Sequence, residues 1–457
     1  MWSSAAGVAN RMKQLVAFLL LAFGMCGTAA TQTPQPASIA ADQRMQWFED
    51  AKLGIFIHWG IYAAHGTSES WSFFNGETTW PQYMRQKKDF TARNYDPQGW
   101  ADLIKRSGAR YAVLTSRHHD GVALWNSKKG LNVVRDTPAK RDLIDPFVKA
   151  LRGNDLKVGL YYSLPDWSYS DYDVFTREKK RYDIKAEPAR WQRYLAYYQE
   201  QVSDIAQRYN PDLYWFDGDW EHSAEEWQAQ KTRAMILAHN PNAIINSRLA
   251  GHGDYGTPEQ GVPIHRPADR YWELCLTMNM SWGYRHKDND YKTPGQLVRI
   301  FADTISMGGN LLLDIGPKED GSIDGRQVRI LEEFGRWTGK HGEAIYGSRA
   351  GIPLDYFHGP STLAADRRTL FLFLDGKPNE DVVVKGLDNK VLRARVVGSN
   401  AAVGHRVVGK YSWSKVPGLL YLDVPRDAFD PVVTVIAVEL DKPVSLFSDE
   451  IKPIESN

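Results

Sequence analysis

Cysteine is nearly missing from this sequence, which holds only Cys26 and Cys275 in 457 residues. Two cysteines cannot build a disulfide framework, so stability has to come from core size. Net charge is missing as well. Fifty-six basic residues face 55 acidic ones, for a formal charge of +1, and such a balance makes no field that would gather nucleic acid. The longest apolar run, "LVAFLLLAFGMC" (15–26), is too short to span a bilayer as a helix. No Gly-rich nucleotide fingerprint follows the first strand-like segment, no HxH or HExxH metal pattern occurs, and no GxSxG nucleophile elbow is found. Internal repeats and low-complexity tracts are also absent.

That short apolar run follows Arg11 and Lys13 and precedes Gly27, Thr28, Ala29 and Ala30. This is the order of an export signal, here residues 1–30. Lipid anchoring at Cys26 is disfavoured because Met25 is larger than the residue expected before a lipidated cysteine. The remaining chain would hold Cys275 alone and work in the periplasm or outside the cell.

What the sequence has in quantity is hydrophobic and aromatic residues, at 43% and 12%. From about residue 44, apolar strand-like runs alternate with amphipathic stretches. The runs are "LGIFIHWG" (53–60), "RYAVLTSR" (110–117), "KVGLYYSL" (157–164), "DLYWFDGD" (212–219), "AIINSR" (243–248), "YWELCLT" (271–277) and "NLLLDIG" (310–316). Helix-spaced segments at 96–108, 140–154, 190–209, 225–240 and 293–308 lie between them. Strands apolar on both faces and alternating with helices mean a buried parallel sheet. The fold class is α/β, an irregular (β/α)8-like (TIM-type) barrel over residues 31–349. Beyond residue 350, short strands separated by Gly, Pro, Asn and Asp predict a C-terminal β-sandwich over 350–457.

Polar side chains gather where the barrel strands end. His58 follows "GIFI", "RHHD" (117–120) follows "AVLTS", Asp217 and Asp219 close the fourth run and Arg248 the fifth. In such barrels the C-terminal face carries the active site. Neighbouring strand residues point to opposite faces, so His118 and His119 are ill placed to share a metal ion; no metal and no cofactor is expected. A strand-end carboxylate with His, Arg, Tyr and Trp around it, and a second carboxylate nearby, fits retaining glycoside hydrolysis. For the second carboxylate, Glu259 lies in the Gly- and Pro-containing loop "YGTPEQ", while Glu273 lies in the apolar run "YWELC". Both remain candidates, with Glu259 preferred because a proton shuttle needs contact with solvent.

Taken together, "LGIFIHWG", "TSRHHDGVALW", "GLYYSLPDWS", "LYWFDGD", "INSRLAGHGDYGTPEQ", "WELCLTMNMSWGYR" and "GGNLLLDIGPKEDGSI" resemble glycoside hydrolase family 29, the α-L-fucosidases, over roughly residues 44–347. The resemblance implies hydrolysis of terminal α-L-fucose with retention, on a glycan or small fucoside, without metal. It makes Asp217 the nucleophile, and His58, His118 and His119 the ligands of the fucose hydroxyls. Glu69, Trp71, Tyr162, Arg248 and Trp282 complete the set of substrate contacts. For Tyr162 and Trp71 the plainer alternative is a place among the core aromatics. A related exo-glycosidase of α-galactosidase type and a non-catalytic sugar-binding protein on the same fold are the competing readings. The compartment is directly checkable: exported protein is expected to begin near Thr31 on N-terminal sequencing, and a cytoplasmic chain that keeps Met1 overturns the reading.

Overall fold

The computed structural model describes residues 36–377 and 381–448, with side chains from residue 43. The expected export segment, Cys26 included, lies outside the described residues. The strands and helices of the barrel and of the C-terminal sheets all belong to one compact unit that begins at Asp42.

Seven parallel strands make the main sheet: β1 (Leu53–Ile57), β2 (Tyr111–Arg117), β3 (Lys157–Ser163), β4 (Leu213–Asp217), β5 (Ile244–Ile245), β6 (Glu273–Thr277) and β7 (Asn310–Ile315). Their spatial order is β6-β7-β1-β2-β3-β4-β5. The intervening helices begin where their caps dictate. Asp96 accepts from Gly99 N at 2.9 Å ahead of Pro97–Arg106, and Thr293 and Gln296 cap each other's backbone ahead of Pro294–Ser306. Proline opens both helices, where its missing N–H costs no helical bond.

Strand alternation divides the apolar residues into two sets. Phe56, Tyr111, Val113, Tyr161, Leu213, Trp215, Cys275 and Leu312 pack together inside the barrel. Their odd-and-even neighbours, such as Ile55, Ala112, Leu160, Tyr162, Phe216 and Leu311, face the helices.

The barrel is not closed by a regular eighth strand. β5 is only two residues long, because Asn246 turns its side chain back onto β4, accepting from Phe216 N and donating to Phe216 O, both at 2.9 Å. The gap up to β6 is filled by the segment 255–260. Single bridges pair Asn246 with Tyr255, Gly256 with Trp272, and Glu259 with Cys275. Pro258 sits in the middle of this segment and has no N–H to donate, so a continuous ladder cannot form.

The C-terminal strands are β8 (Arg349–Ala350), β9 (Ser361–Leu363), β10 (Thr369–Asp375), β11 (Val382–Lys385), β12 (Val391–Val396), β13 (Gly404–Val408), β14 (Leu419–Asp423) and β15 (Val433–Leu440). They form antiparallel sheets in the orders β8-β9-β10-β15-β12 and β11-β14-β13. Leu370, Leu372, Ile436 and Val438 of the larger sheet meet Val382, Val384, Leu420 and Leu422 of the smaller. The opposite face of the larger sheet, Phe371, Phe373, Val433 and Val435, joins the barrel's outer core at Trp337.

Trp337, on the helix Gly325–Ile345, is the hinge of that contact. Its indole N–H donates to Val433 O at 2.9 Å, and Lys340 on the same helix pairs with Asp430 at 2.6 Å. Trp337→Ala would leave a large void and an unpaired carbonyl, so we expect a loss of about 3–5 kcal/mol in urea unfolding. A loss below about 1 kcal/mol would show that the sheet–helix contact contributes little.

Candidate active site

The C-terminal ends of the strands bring together most of the residues singled out from sequence. Asp217 ends β4, and Gly218 follows with φ 84°, a left-handed turn in which a Cβ would strike Pro165. The turn leaves the Asp217 carboxylate facing into the barrel mouth. Oδ1 accepts from Arg248 Nη1 at 2.9 Å and Oδ2 from the Tyr161 hydroxyl at 2.9 Å.

Arg248 is shared. Its Nη2 donates to Glu259 Oε2 at 2.6 Å, its Nε to Thr257 Oγ1 at 3.0 Å, and its guanidinium lies over the Trp215 ring, 4.7 Å from the centroid. Burial works against the cation, yet Asp217, Cys275 and Glu259 outweigh it and hold Arg248 above the ordinary arginine range. Glu259 is the solvent-facing partner, its side chain 40% exposed against 12% for Asp217.

Three histidines line the mouth, each with Nδ1 engaged behind it. His58 Nδ1 contacts Asp314 Oδ1 at 2.7 Å, His118 Nδ1 contacts Ser70 Oγ at 2.6 Å, and His119 Nδ1 contacts Ser163 Oγ at 2.5 Å. The Ser163 hydroxyl gives its proton to Pro165 O, so it accepts from His119, and His119 Nε2 is left as an acceptor. That nitrogen makes no hydrogen bond within the protein and stands 3.5 Å from Asp217 Oδ2.

Burial, then Arg117, pushes His119 down to about 3. Burial and then the neighbouring histidine lower His58 and His118 too. Burial raises Asp314, the direction that favours a neutral carboxyl beside a neutral imidazole. Among the described residues, no three His, Cys, Asp or Glu side chains are grouped so as to hold a metal ion.

Glu69 is buried and acts on the loop opposite. Its Oε1 accepts from Gly283 N at 2.6 Å, and burial raises its pKa. This fixes Trp282, whose half-buried ring lies 5.0 Å from His58. Trp71 stands 5.4 Å from His119 and stacks at 6.1 Å and 18° on Trp220, which is 55% exposed. The two rings continue an apolar wall outward from the histidines.

Two sequence expectations need correction. Tyr162 is not at the site: strand parity turns it outward, where its hydroxyl donates to Gln201 and its ring lies under Arg117. Tyr161, one residue earlier, is the tyrosine on Asp217. Glu273 points into the barrel floor and not at the mouth, fully buried and bonded by the Tyr111 hydroxyl and by Trp215 Nε1. Sequence reasoning passes over four residues: Tyr161, Ser70, Asp314 and Trp220. Of these, Asp314 had a legible signal, a lone carboxylate ending the apolar run "NLLLD".

A buried neutral histidine has a stability signature. Unfolded His119 titrates near 6.5, so between pH 6.5 and 3 the unfolded chain takes up a proton that the folded one refuses. Stability is therefore lost as pH falls through that window, by about 2 kcal/mol at pH 5 for this residue. His119→Asn should flatten the decline in melting temperature between pH 6.5 and 5. An unchanged slope would place the acid sensitivity elsewhere.

Comparison with known proteins agrees with this geometry. The family model described as alpha-L-fucosidase matches residues 21–343. Tissue α-L-fucosidase of Macaca fascicularis is 32% identical over 351 residues, covering 69% of this chain and 72% of that protein. Plasma α-L-fucosidase of Homo sapiens is 32% identical over 346 residues, with 68% and 71% covered. Among solved structures, α-L-fucosidase isoenzyme 1 of Paenibacillus thiaminolyticus gives a TM-score of 0.79 at 32% identity, over 88% of this chain and 100% of that one. A family 29 α-L-fucosidase of Bacteroides thetaiotaomicron, trapped as a covalent intermediate in complex with 2-fluoro-fucosyl fluoride, gives 0.77 at 26% identity, over 87% and 96%. With a match that runs through the barrel and its strand-end residues, this chain belongs to the α-L-fucosidases of glycoside hydrolase family 29.

Proposed function

We propose that the protein is a retaining exo-glycosidase that removes terminal α-L-fucose from glycans or smaller fucosides by double displacement. One observation carries the mechanism: Arg248 holds Asp217 and Glu259 at the same time. A single guanidinium touching both draws the two carboxylates together on one cation, which supports the close pair of a retaining enzyme over the wider gap that an inverting pair needs to admit water.

Asp217 is the nucleophile. It attacks C1, the bond from C1 to the leaving oxygen breaks, and Glu259 gives its proton to that oxygen. The ester at Asp217 no longer faces Arg248 as an anion, so Arg248 turns its full attraction on Glu259 and favours the carboxylate needed next. Glu259 then takes a proton from water, the hydroxide bonds to C1, and Asp217 leaves as a carboxylate. Tyr161 and Arg248 steady the two Asp217 oxygens throughout.

His58, His118 and His119 bind the sugar hydroxyls. Because they are uncharged, they discriminate by hydrogen-bond direction. Trp71, Trp220 and Trp282 offer ring faces to the sugar's methyl group and carbon skeleton. Glu69 acts one step back by securing the Trp282 loop. The apolar wall favours a 6-deoxy sugar over one with a hydroxymethyl group, which sets aside an α-galactosidase. The paired carboxylates set aside a purely sugar-binding protein.

On this reading residues 31–349 are the catalytic unit and 350–457 the β-sandwich. The charged, apolar and small-residue order of residues 1–30 supports export to the periplasm or outside the cell. No helix among the described residues is long and apolar enough to cross a membrane.

Asp217→Ala should remove nearly all kcat on every fucoside, activated aryl ones included, with circular dichroism unchanged. The first product formed by the wild type should be α-L-fucose by NMR before mutarotation. An initial β product, or turnover by Asp217→Ala, overturns double displacement through Asp217.

A further inference from the structure

The barrel floor contains a carboxylate that double displacement does not use. Glu273, at the start of β6, is fully buried, and burial pushes it up to about 7. Its Oε2 is bonded by Tyr111 and its Oε1 accepts from Trp215 Nε1 at 3.0 Å. Tyr255, Cys275 and Arg248 are the other titratable groups that face it. An apolar side chain would fill the floor without any desolvation cost. A carboxylate here therefore calls for a reason beyond packing.

Trp215 supplies it. The edge of this indole is held by Glu273, and its face carries the Arg248 guanidinium at 4.7 Å. The same guanidinium reaches Asp217 at 2.9 Å and Glu259 at 2.6 Å. The chain runs Tyr111, Glu273, Trp215, Arg248, and then divides to the two reacting carboxylates.

We propose that Glu273 is a positioning residue: by anchoring the Trp215 N–H from below, it fixes the plane on which Arg248 rests and so the spacing of Asp217 and Glu259. This rests on the reading of those two as the reacting pair. Without the anchor, the indole can tilt, and the guanidinium cannot hold both carboxylates in line. A misplacement of about 1 Å at reacting groups can cost ~10²-fold in rate.

The test compares Glu273→Gln, Glu273→Ala and Trp215→Phe on p-nitrophenyl α-L-fucoside and on a fucosylated oligosaccharide, with and without azide. Gln keeps an oxygen for Trp215, so E273Q should lose about 3–10-fold in kcat, whereas E273A should lose about 10²-fold, with KM within about twofold of wild type. The loss should be equal on both substrates, and azide should yield no fucosyl azide. E273A in the Trp215→Phe background should cost little more than either change alone, since both break one link.

Three outcomes overturn the proposal. A far larger loss on the oligosaccharide, with azide rescue, makes Glu273 the acid/base. A lowered melting temperature with unchanged kcat in both E273Q and E273A makes it merely structural. Full additivity with Trp215→Phe means that it does not act through the indole. If E273A does not fold, E273Q and Trp215→Phe still decide the matter. Failure of the parent reading would be seen separately, as turnover by Asp217→Ala.

Discussion

The site depends on one cation placed between two carboxylates. Arg248 is tied down by Thr257 on one side and by the Trp215 face beneath, and it meets Asp217 and Glu259 through different nitrogens. With one positive charge for two negative ones, the assembly has an excess anion whenever both carboxylates are ionised. A proton on Glu259 relieves that excess, and so does an ester on Asp217. On the proposed mechanism these two states alternate, with Glu259 as acid beside the free nucleophile and as base beside the glycosyl-enzyme. A lysine could not take this position: a point charge offers no fixed fork with which to set the direction of two carboxylates at once.

The histidines obey the same electrostatics. A charged imidazole beside Asp217 would compete with Arg248 for the carboxylate and tie it up as an ion pair. Burial and the fixed Arg117 cation prevent this by keeping His119 neutral. The bond from His119 to Ser163 then selects the tautomer, because Ser163 has already spent its proton on Pro165 O. A nitrogen lone pair is thus presented beside an anion at 3.5 Å, a poor arrangement in itself and a good one for a hydroxyl that bridges them. The site is unsatisfied in the places where a polyol has donors to offer.

Much of this was legible in the sequence, and the limits are physical. The run "LYWFD" put Trp215 and Asp217 on one face by parity alone, and both are inside the barrel. The tyrosine was misread for lack of the same argument. Tyr161 and Tyr162 are chemically identical neighbours, and only the register of β3 on β4, with Tyr161 opposite Trp215, decides between them. Ser70 has no local signal, since its partner His118 lies 48 residues away; Asp314 is marked as the carboxylate that ends its apolar run, and only its pairing with His58, 256 residues away, is hidden. In the sandwich, all five residues of β13 are exposed, so its sequence carries no apolar alternation to read. β8 and β9 are too short to register.

The irregular closure of the barrel belongs to the same design. A regular eighth strand would pair along its whole length and alternate its side chains strictly between core and helices. The segment 255–260 instead touches β6 at isolated points, with Cys275 N donating to Pro258 O at 3.1 Å and Gln260 N to Cys275 O at 2.9 Å. Pro258 interrupts the ladder one residue before Glu259, where the carboxylate must leave the wall. Backbone bonds on either side hold its position, while its side chain stays 40% exposed. A proton carrier needs both properties, a fixed distance to the buried nucleophile and a path to water, and a residue on a complete strand would have the first without the second. On the proposed mechanism the defect in the barrel supplies what Glu259 needs as the acid/base, and the two-residue β5, cut short by Asn246, leaves room for it.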